Sequence, residues 1–450
     1  MTTTLGIPSL RSYQLAPARA IMTSVIEQRG LTITVEMSRQ SGKNEVSAQL
    51  EAALLVALRC TNIKTAPTFT PQAKISIRRL IDTLRAAGVR PRVDDSHIVT
   101  VGRSRQVFLS AEPTANVVGQ TATHLLEVDE AQDVDPDKFD KDFRPMAAAN
   151  NATTVLYGTP WAETDLLNRE RQRALELEQR DNIRRAFIVP WTVPAAELPA
   201  YHHYVSAERD RLGPSHPLFT TQYDLVPLPG KGRLLNPQLL AQLAGAFPRR
   251  SAPPLGATIA AGLDIAGGTD DNPAAHDRTV LTLGAVTPPT PADPLPENHA
   301  AVLHHVAWHG EPHDRLIAAL IDILTTWNVS SLTVDATGLG ETTAQLLARR
   351  LKGTVTPLKF TRPTKSELGY SLITAIATGR LKVYQPDGSA DAHLFWHEAK
   401  AARADYLPGQ YMNFYLHPNE GHDDYIISLA LFAHAAANAR PRIARGRPAP

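Results

Sequence analysis

The chain has 450 residues, 43% hydrophobic and 20% charged, with 46 Lys plus Arg against 45 Asp plus Glu for a formal net charge of +1. This balance excludes a low-hydrophobicity disordered chain and a wholly basic nucleic-acid coat, and the length predicts about two or three domains. No apolar run approaches a membrane span, no charged-then-apolar leader opens the sequence, and a lone Cys60 supports no disulfide framework, so a cytosolic setting is expected.

The first informative segment is Leu31 to Asn44, LTITVEMSRQSGKN. Thr32 to Val35 is β-branched or apolar and predicts a buried strand. The loop that follows, with Ser38, Arg39, Gln40, Ser41, Gly42, Lys43 and Asn44, is the candidate ATP-binding segment. Gly42 lets the backbone approach phosphate oxygens and Lys43 brings a point charge to the β- and γ-phosphates. Val46, Leu50, Leu54 and Leu58 recur at helical spacing as far as Cys60, which places a helix N-terminus at the same point. Met37 and Asn44 stand where the phosphate-loop pattern expects Gly and Ser/Thr.

His124 to Val128 predicts a second core strand, and it runs into Asp129, Glu130 and Ala131. Adjacent carboxylates at a strand end are what ATP hydrolysis requires. Asp129 is assigned to Mg²⁺ and Glu130 to polarising the attacking water. A third strand, Thr153 to Tyr157, ends in Gly158-Thr159-Pro160, and a Thr at the tip of a core strand can sense the γ-phosphate. Leu166 to Arg185 is highly charged and predicts an exposed helix leading out of this core. The Pro-containing stretch beyond it, through Gly230 and Gly232, reads as a lid and linker over about 166–250. FPRRSAPPLG, Phe247 to Gly256, marks a boundary.

The second half opens with the apolar strand Ile259 to Ile265, which carries Asp264 near its end. A Gly- and Asp-rich loop with Asp277 follows, then the strand Val280 to Val286. A charge inside an apolar strand costs several kcal/mol unless it is paired or metal-bound. Asp314 to Trp327 predicts a helix and Ser331 to Val334 a strand ending in Asp335. Asp423 and Asp424 precede the apolar helix Tyr425 to Ala436. Acids from separate elements can converge on two Mg²⁺ ions, and oxygen-only ligands favour Mg²⁺ or Mn²⁺ over zinc. Either member of the Asp423–Asp424 pair can be the ligand. His304, His305, His309 and His313 occupy a strand and a Gly-Pro turn, where surface or core histidines are the default reading. Arg349, Arg350 and Lys352, then Lys359, Arg362 and Lys365, form basic clusters that read either as solvated faces, the default, or as contacts to a phosphate backbone.

The Arg39–Asn44 loop, Asp129 to Ala131, Gly158 to Pro160, the Gly-x-Asp strand of Asp264 and the His-Asp-Asp of Asp423 and Asp424 together resemble the large subunit of the phage DNA-packaging terminase. The resemblance covers nearly the whole chain. It implies an α/β fold: an N-terminal P-loop ATPase domain of the ASCE type with a mostly parallel sheet over residues 1–230, then a ribonuclease H-like α/β nuclease domain over 255–437. Residues 438–450 are expected to be a basic disordered tail. Arg39 would contact the γ-phosphate, Thr159 would belong to the coupling motif, and Gln14 would recognise adenine. A neighbouring subunit would supply a further arginine. Ala111 to Leu126 contains none, and Arg103 and Arg105 are the nearest candidates.

The catalytic nuclease set would be Asp264, Asp335 and Asp423, with Asp424 as a fourth metal ligand or an alternative. The implied cofactors are ATP and Mg²⁺, with Mn²⁺ possible at the nuclease site. The implied partners are double-stranded DNA, a small terminase subunit and the portal of a prohead, on which the chain would form a ring of five in the host cytoplasm without becoming a virion component. Two other readings share these residues: an ATP-dependent DNA-processing nuclease of repair or defence, and a nucleotide- and DNA-binding assembly factor that does not cut.

Overall fold

The computed structural model describes residues 8–117, 119–266, 278–293, 295–338 and 340–440. Asp277, most of its Gly- and Asp-rich loop and residues 441–450 of the expected basic tail lie outside them. The chain divides into two compact units, residues 1–207 with 217–230, and residues 208–216 with 231–450.

The first unit is built on eight strands: β1 (Thr32–Met37), β2 (Thr61–Ala66), β3 (Arg92–Asp94), β4 (Ile98–Val101), β5 (Ser104–Ser110), β6 (Leu125–Val128), β7 (Thr153–Gly158) and β8 (Ala186–Val189). Their order is β3-β4-β5-β2-β6-β7-β1-β8. All neighbours from β5 to β8 run parallel, and β3 and β4 add an antiparallel edge. β1, β6 and β7 are buried on both faces, as parallel strands between helical layers must be. Because β7 stands between β1 and β6, the turns leaving all three open at one end of the sheet.

The expected exposed helix spans Leu166–Asp181 and buries Leu166, Leu167, Asn168, Glu170, Arg171 and Ala174, so only part of it faces solvent. Asn182, in the left-handed region at φ 57°, ends it. The chain then re-enters the sheet as β8 beside β1. Residues 186–189, read from the sequence as lid and linker, are therefore an edge strand. Four residues between Arg185 and Pro190 are too few to show a period.

Beneath the sheet's functional end lies a polar knot. Lys64 of β2, 3% exposed, donates from Nζ to Ser47 Oγ at 2.7 Å and to Glu51 Oε1 at 2.9 Å. Ser47 Oγ also lies 2.9 Å from Glu127 Oε1. Burial, then Glu51, pushes the Glu127 carboxyl well above the usual range. Replacing Lys64 by Met leaves two buried carboxyls without their cation, so stability is expected to fall by about 3–5 kcal/mol. Urea unfolding of the full chain measures this, and an unchanged midpoint would refute it.

The second unit contains β9 (Lys231–Arg233), β10 (Thr258–Asp264), β11 (Thr279–Thr287), β12 (His299–Trp308), β13 (Val329–Asp335), β14 (Val355–Leu358), β15 (Leu381–Val383), β16 (Arg403–Leu407) and β17 (Tyr411–Tyr415). The main sheet runs β14-β13-β10-β11-β12-β15, and β17-β16-β9 form a smaller one. β10, β11 and β12 are antiparallel, whereas β13 runs parallel to β10. The helix Asp424–Asn438 is buried almost all round and lies directly on β10. Gly262 permits this approach, since a Cβ there would fall 2.2 Å from the backbone N of Phe432 and 2.3 Å from Ser428 O. Phe247 to Gly256, expected as a boundary, is anchored within this unit by Arg249. Its guanidinium donates to Asp391 Oδ2 at 2.6 Å and to Ser389 Oγ at 2.9 Å.

Candidate active sites

At the end of β1 the chain turns through Ser38 to Gly42 into the helix Lys43–Ala57. Gln40 and Gly42 take positive φ of 64° and 95°, and Ser41 N donates to Ser38 O at 3.1 Å. Non-local hydroxyls hold the loop in place. Tyr13 donates to Ser41 O at 2.9 Å, and the Tyr201 hydroxyl donates to Arg39 O at 2.8 Å and lies 2.9 Å from Ser38 Oγ. Gln14 Nε2 donates to Gly42 O at 3.1 Å while its Oε1 accepts from Arg11 N at 2.8 Å. The Gln14 amide thus grips the loop itself. Arg39 Nη1 donates to Gln222 Oε1 at 2.8 Å. Asn44 is the second residue of the helix.

Across the sheet end, Glu130 Oε1 lies 3.0 Å from Lys43 Nζ. Burial opposes ionisation of Glu130, but Lys43, Gln132 and Arg39 outweigh it and hold the carboxyl below its ordinary range. Glu130 sits in the left-handed region at φ 45° and ψ 52°, a conformation that costs a non-glycine residue about 1–3 kcal/mol and collects at functional sites. Asp129 is 4% exposed, and its N–H is bonded to Thr65 O at 2.8 Å. Thr159, at the end of β7, is also buried. The structure therefore groups Lys43, Asp129, Glu130 and Thr159 at one end of the sheet. Arg103 and Arg105 are exposed at the start of β5, the opposite end.

In the second unit Asp264 ends β10 and Asp335 ends the adjacent β13. Asp423 precedes the helix Asp424–Asn438, of which Asp424 is the first residue. Burial raises the Asp264 carboxyl well above its ordinary value, and Asp424, Asp335, Asp423 and Glu398 add to the rise in that order. All four predicted acids thus act on one region, and Asp424 repels Asp264 more than Asp423 does. Asp424 is buried and accepts from Arg278 N at 2.9 Å.

Glu398 was not anticipated. It is buried, its carboxyl is pushed up to about 9 by burial and then by Asp424, and its Oε2 caps the helix, accepting from Tyr425 N at 2.7 Å and Ile426 N at 3.1 Å. No local pattern marks it, since it lies mid-helix in Ala390–Ala401. Among the described residues no three His, Cys, Asp or Glu already stand as a closed metal site. The donor chemistry nevertheless fits a hard divalent cation, because crowded buried carboxyls are relieved by one.

The basic segment Lys359 to Lys365 begins just past Leu358, the register partner of Asp335. Phe360 N donates to Thr337 Oγ1 at 3.0 Å, and burial raises the Asp335 carboxyl above its ordinary value, against the pull of hydrogen bonds from Thr337 and then of the Lys365 charge. Arg362 lies 4.9 Å from the Tyr411 ring centroid. His305 is fully buried, bonded to the Tyr384 hydroxyl at 2.9 Å and stacked on Phe395, while His304 stacks on Trp327.

Residues 261–435 match the family model described as the terminase RNaseH-like domain. Among solved structures, the large terminase of a thermophilic bacteriophage aligns with TM-score 0.53 at 11% identity, covering 94% of this chain and 100% of that one. The same phage protein in complex with ATP-γ-S aligns with TM-score 0.51 at 11% identity, covering 95% and 99%. At that identity the likeness is one of fold. No curated protein matches the sequence.

Proposed function

The chain carries a terminase RNaseH-like domain within the fold of a phage large terminase, and from that premise we propose that it uses ATP to move double-stranded DNA into a prohead and cuts the concatemer with a metal-dependent nuclease. The observation that carries this reading is the Lys43–Glu130 pair at 3.0 Å, formed across the end of β7 by the turns that leave β1 and β6, in the same chain as the Asp264 cluster. A DNA-processing motor needs both, and neither explains the other.

On this reading the loop Ser38–Asn44 cradles the triphosphate, as the thermophilic phage's terminase takes ATP-γ-S. Lys43 leaves Glu130 for the phosphates, and Arg39 leaves Gln222 for the γ-phosphate. Asp129 would be the main holder of Mg²⁺, with the Asn44 amide oxygen or a water standing where a hydroxyl is usual. Glu130 holds and polarises the water, Thr159 senses the outcome, and Gln14 fixes the loop beside the adenine. In the second unit Asp264, Asp335 and Asp424, with Asp423 beside it, would hold Mg²⁺ or Mn²⁺. Such ions when bound stabilise both the attacking and leaving oxygens of a phosphodiester. Lys359, Arg362 and Lys365 then grip the DNA backbone next to Asp335.

The assembly is a ring of five on the portal, fed by a small subunit, in the host cytoplasm. Adding proheads and DNA is expected to raise ATP turnover several-fold and protect DNA from external nuclease. ATP turnover and DNA cutting that ignore proheads would instead identify a repair or defence nuclease.

A further inference from the structure

Gln132 lies two residues beyond Glu130, is 6% exposed, and has both ends of its amide committed. Nε2 donates to Glu130 Oε2 at 2.9 Å and to Asp133 Oδ2 at 3.2 Å. Oε1 accepts the backbone N–H of Thr159 at 3.3 Å. These partners fix the amide orientation, since the reverse would set NH₂ against N–H and oxygen against carboxylate. Gly158 makes room for the contact: a Cβ there would lie 2.2 Å from Gln132 Oε1. The other Glu130 oxygen is the one on Lys43. One continuous path therefore runs Lys43, Glu130, Gln132, Thr159, from the phosphate loop to the end of β7.

We propose that Gln132 is a positioning residue that ties the Glu130 carboxylate to the β7 turn at Thr159, so that the hydrolysis state of the site is carried to that turn. The inference rests on the ATPase reading above. Phosphates that claim Lys43 remove one of the two side-chain hydrogen bonds holding Glu130. Gln132 is the remaining one, and it cannot follow the carboxylate without pulling on the Thr159 N–H. A side chain that only filled space there would need neither a donor at one end nor an acceptor at the other.

The test uses the full-length protein with Gln132→Met, which keeps length and loses both bonds, and Gln132→Glu, which keeps shape and the acceptor for Thr159 but loses the donor to Glu130. For both, kcat for ATP is expected to fall about 10- to 100-fold with KM within about twofold, because the binding loop is untouched. Stimulation of turnover by duplex DNA is expected to vanish. A melting curve on each variant shows that it is folded, and should Gln132→Met fail to fold, Gln132→Glu still decides. Wild-type kcat and DNA stimulation in either folded variant overturn the proposal while leaving the ATPase reading standing. A wild-type protein without ATPase activity overturns both.

Discussion

Asp264→Asn is expected to abolish metal-dependent DNA cleavage while ATP turnover stays at the wild-type level. The loss should be on the order of a thousandfold, roughly 4 kcal/mol of transition-state stabilisation. Asp264 is the acid on which the other four carboxyls act, so no neighbour replaces it. The same substitution should make the metal-free protein more stable. A carboxyl whose folded pKa is raised binds its proton more tightly in the folded state, so its ionisation disfavours folding as pH climbs from the unfolded toward the folded pKa. Asparagine removes that penalty at neutral pH, and each kcal/mol gained moves the melting temperature of a domain this size by about 2–4 °C. Plasmid cleavage with Mg²⁺ or Mn²⁺ and a melt in chelator read the two effects. Full cleavage by the variant would remove Asp264 from the metal site, and loss of cleavage with a lowered melting temperature would point to misfolding.

In the first unit, Glu130→Gln and Lys43→Ala are expected to fail in different ways. Gln keeps an acceptor for Lys43 but cannot take a proton from water, so kcat should drop about 10²- to 10⁴-fold while nucleotide still binds. Lys43→Ala removes the cation that meets the phosphates, so binding itself should weaken. It also strips Glu130 of the ion pair that most strongly opposes the effect of burial on its carboxyl. Steady-state turnover and fluorescent-nucleotide titration separate the two. Wild-type kcat in Glu130→Gln would force the base to be sought elsewhere.

What could be read in advance was whatever chemistry is written in neighbouring residues. The Ser38–Asn44 loop, Asp129 and Glu130 after β6, and Asp264 at the end of β10 each sit on a strand whose apolar run announces it. The residues that hold these groups in place are distant in sequence. Tyr201 and Gln222 reach the phosphate loop from more than 160 positions away. Glu398 caps a helix that begins 26 residues later. Lys64 carries no local sign of its burial, because nothing beside it in the sequence reveals Glu51 or Glu127. β8 was hidden for a different reason, its four residues being too short to show a period.

Asp264, Asp335, Glu398, Asp423 and Asp424 crowd one region of the second unit, and their mutual repulsion is what lifts the Asp264 carboxyl beyond the effect of burial. A phosphodiester is itself an anion, so on the proposed reading this cluster repels the strand it would cut, and only divalent cations standing between the two reverse the sign of that encounter. Cutting would then answer to metal as much as to DNA: the ion serves as glue for substrate before it serves as a catalyst.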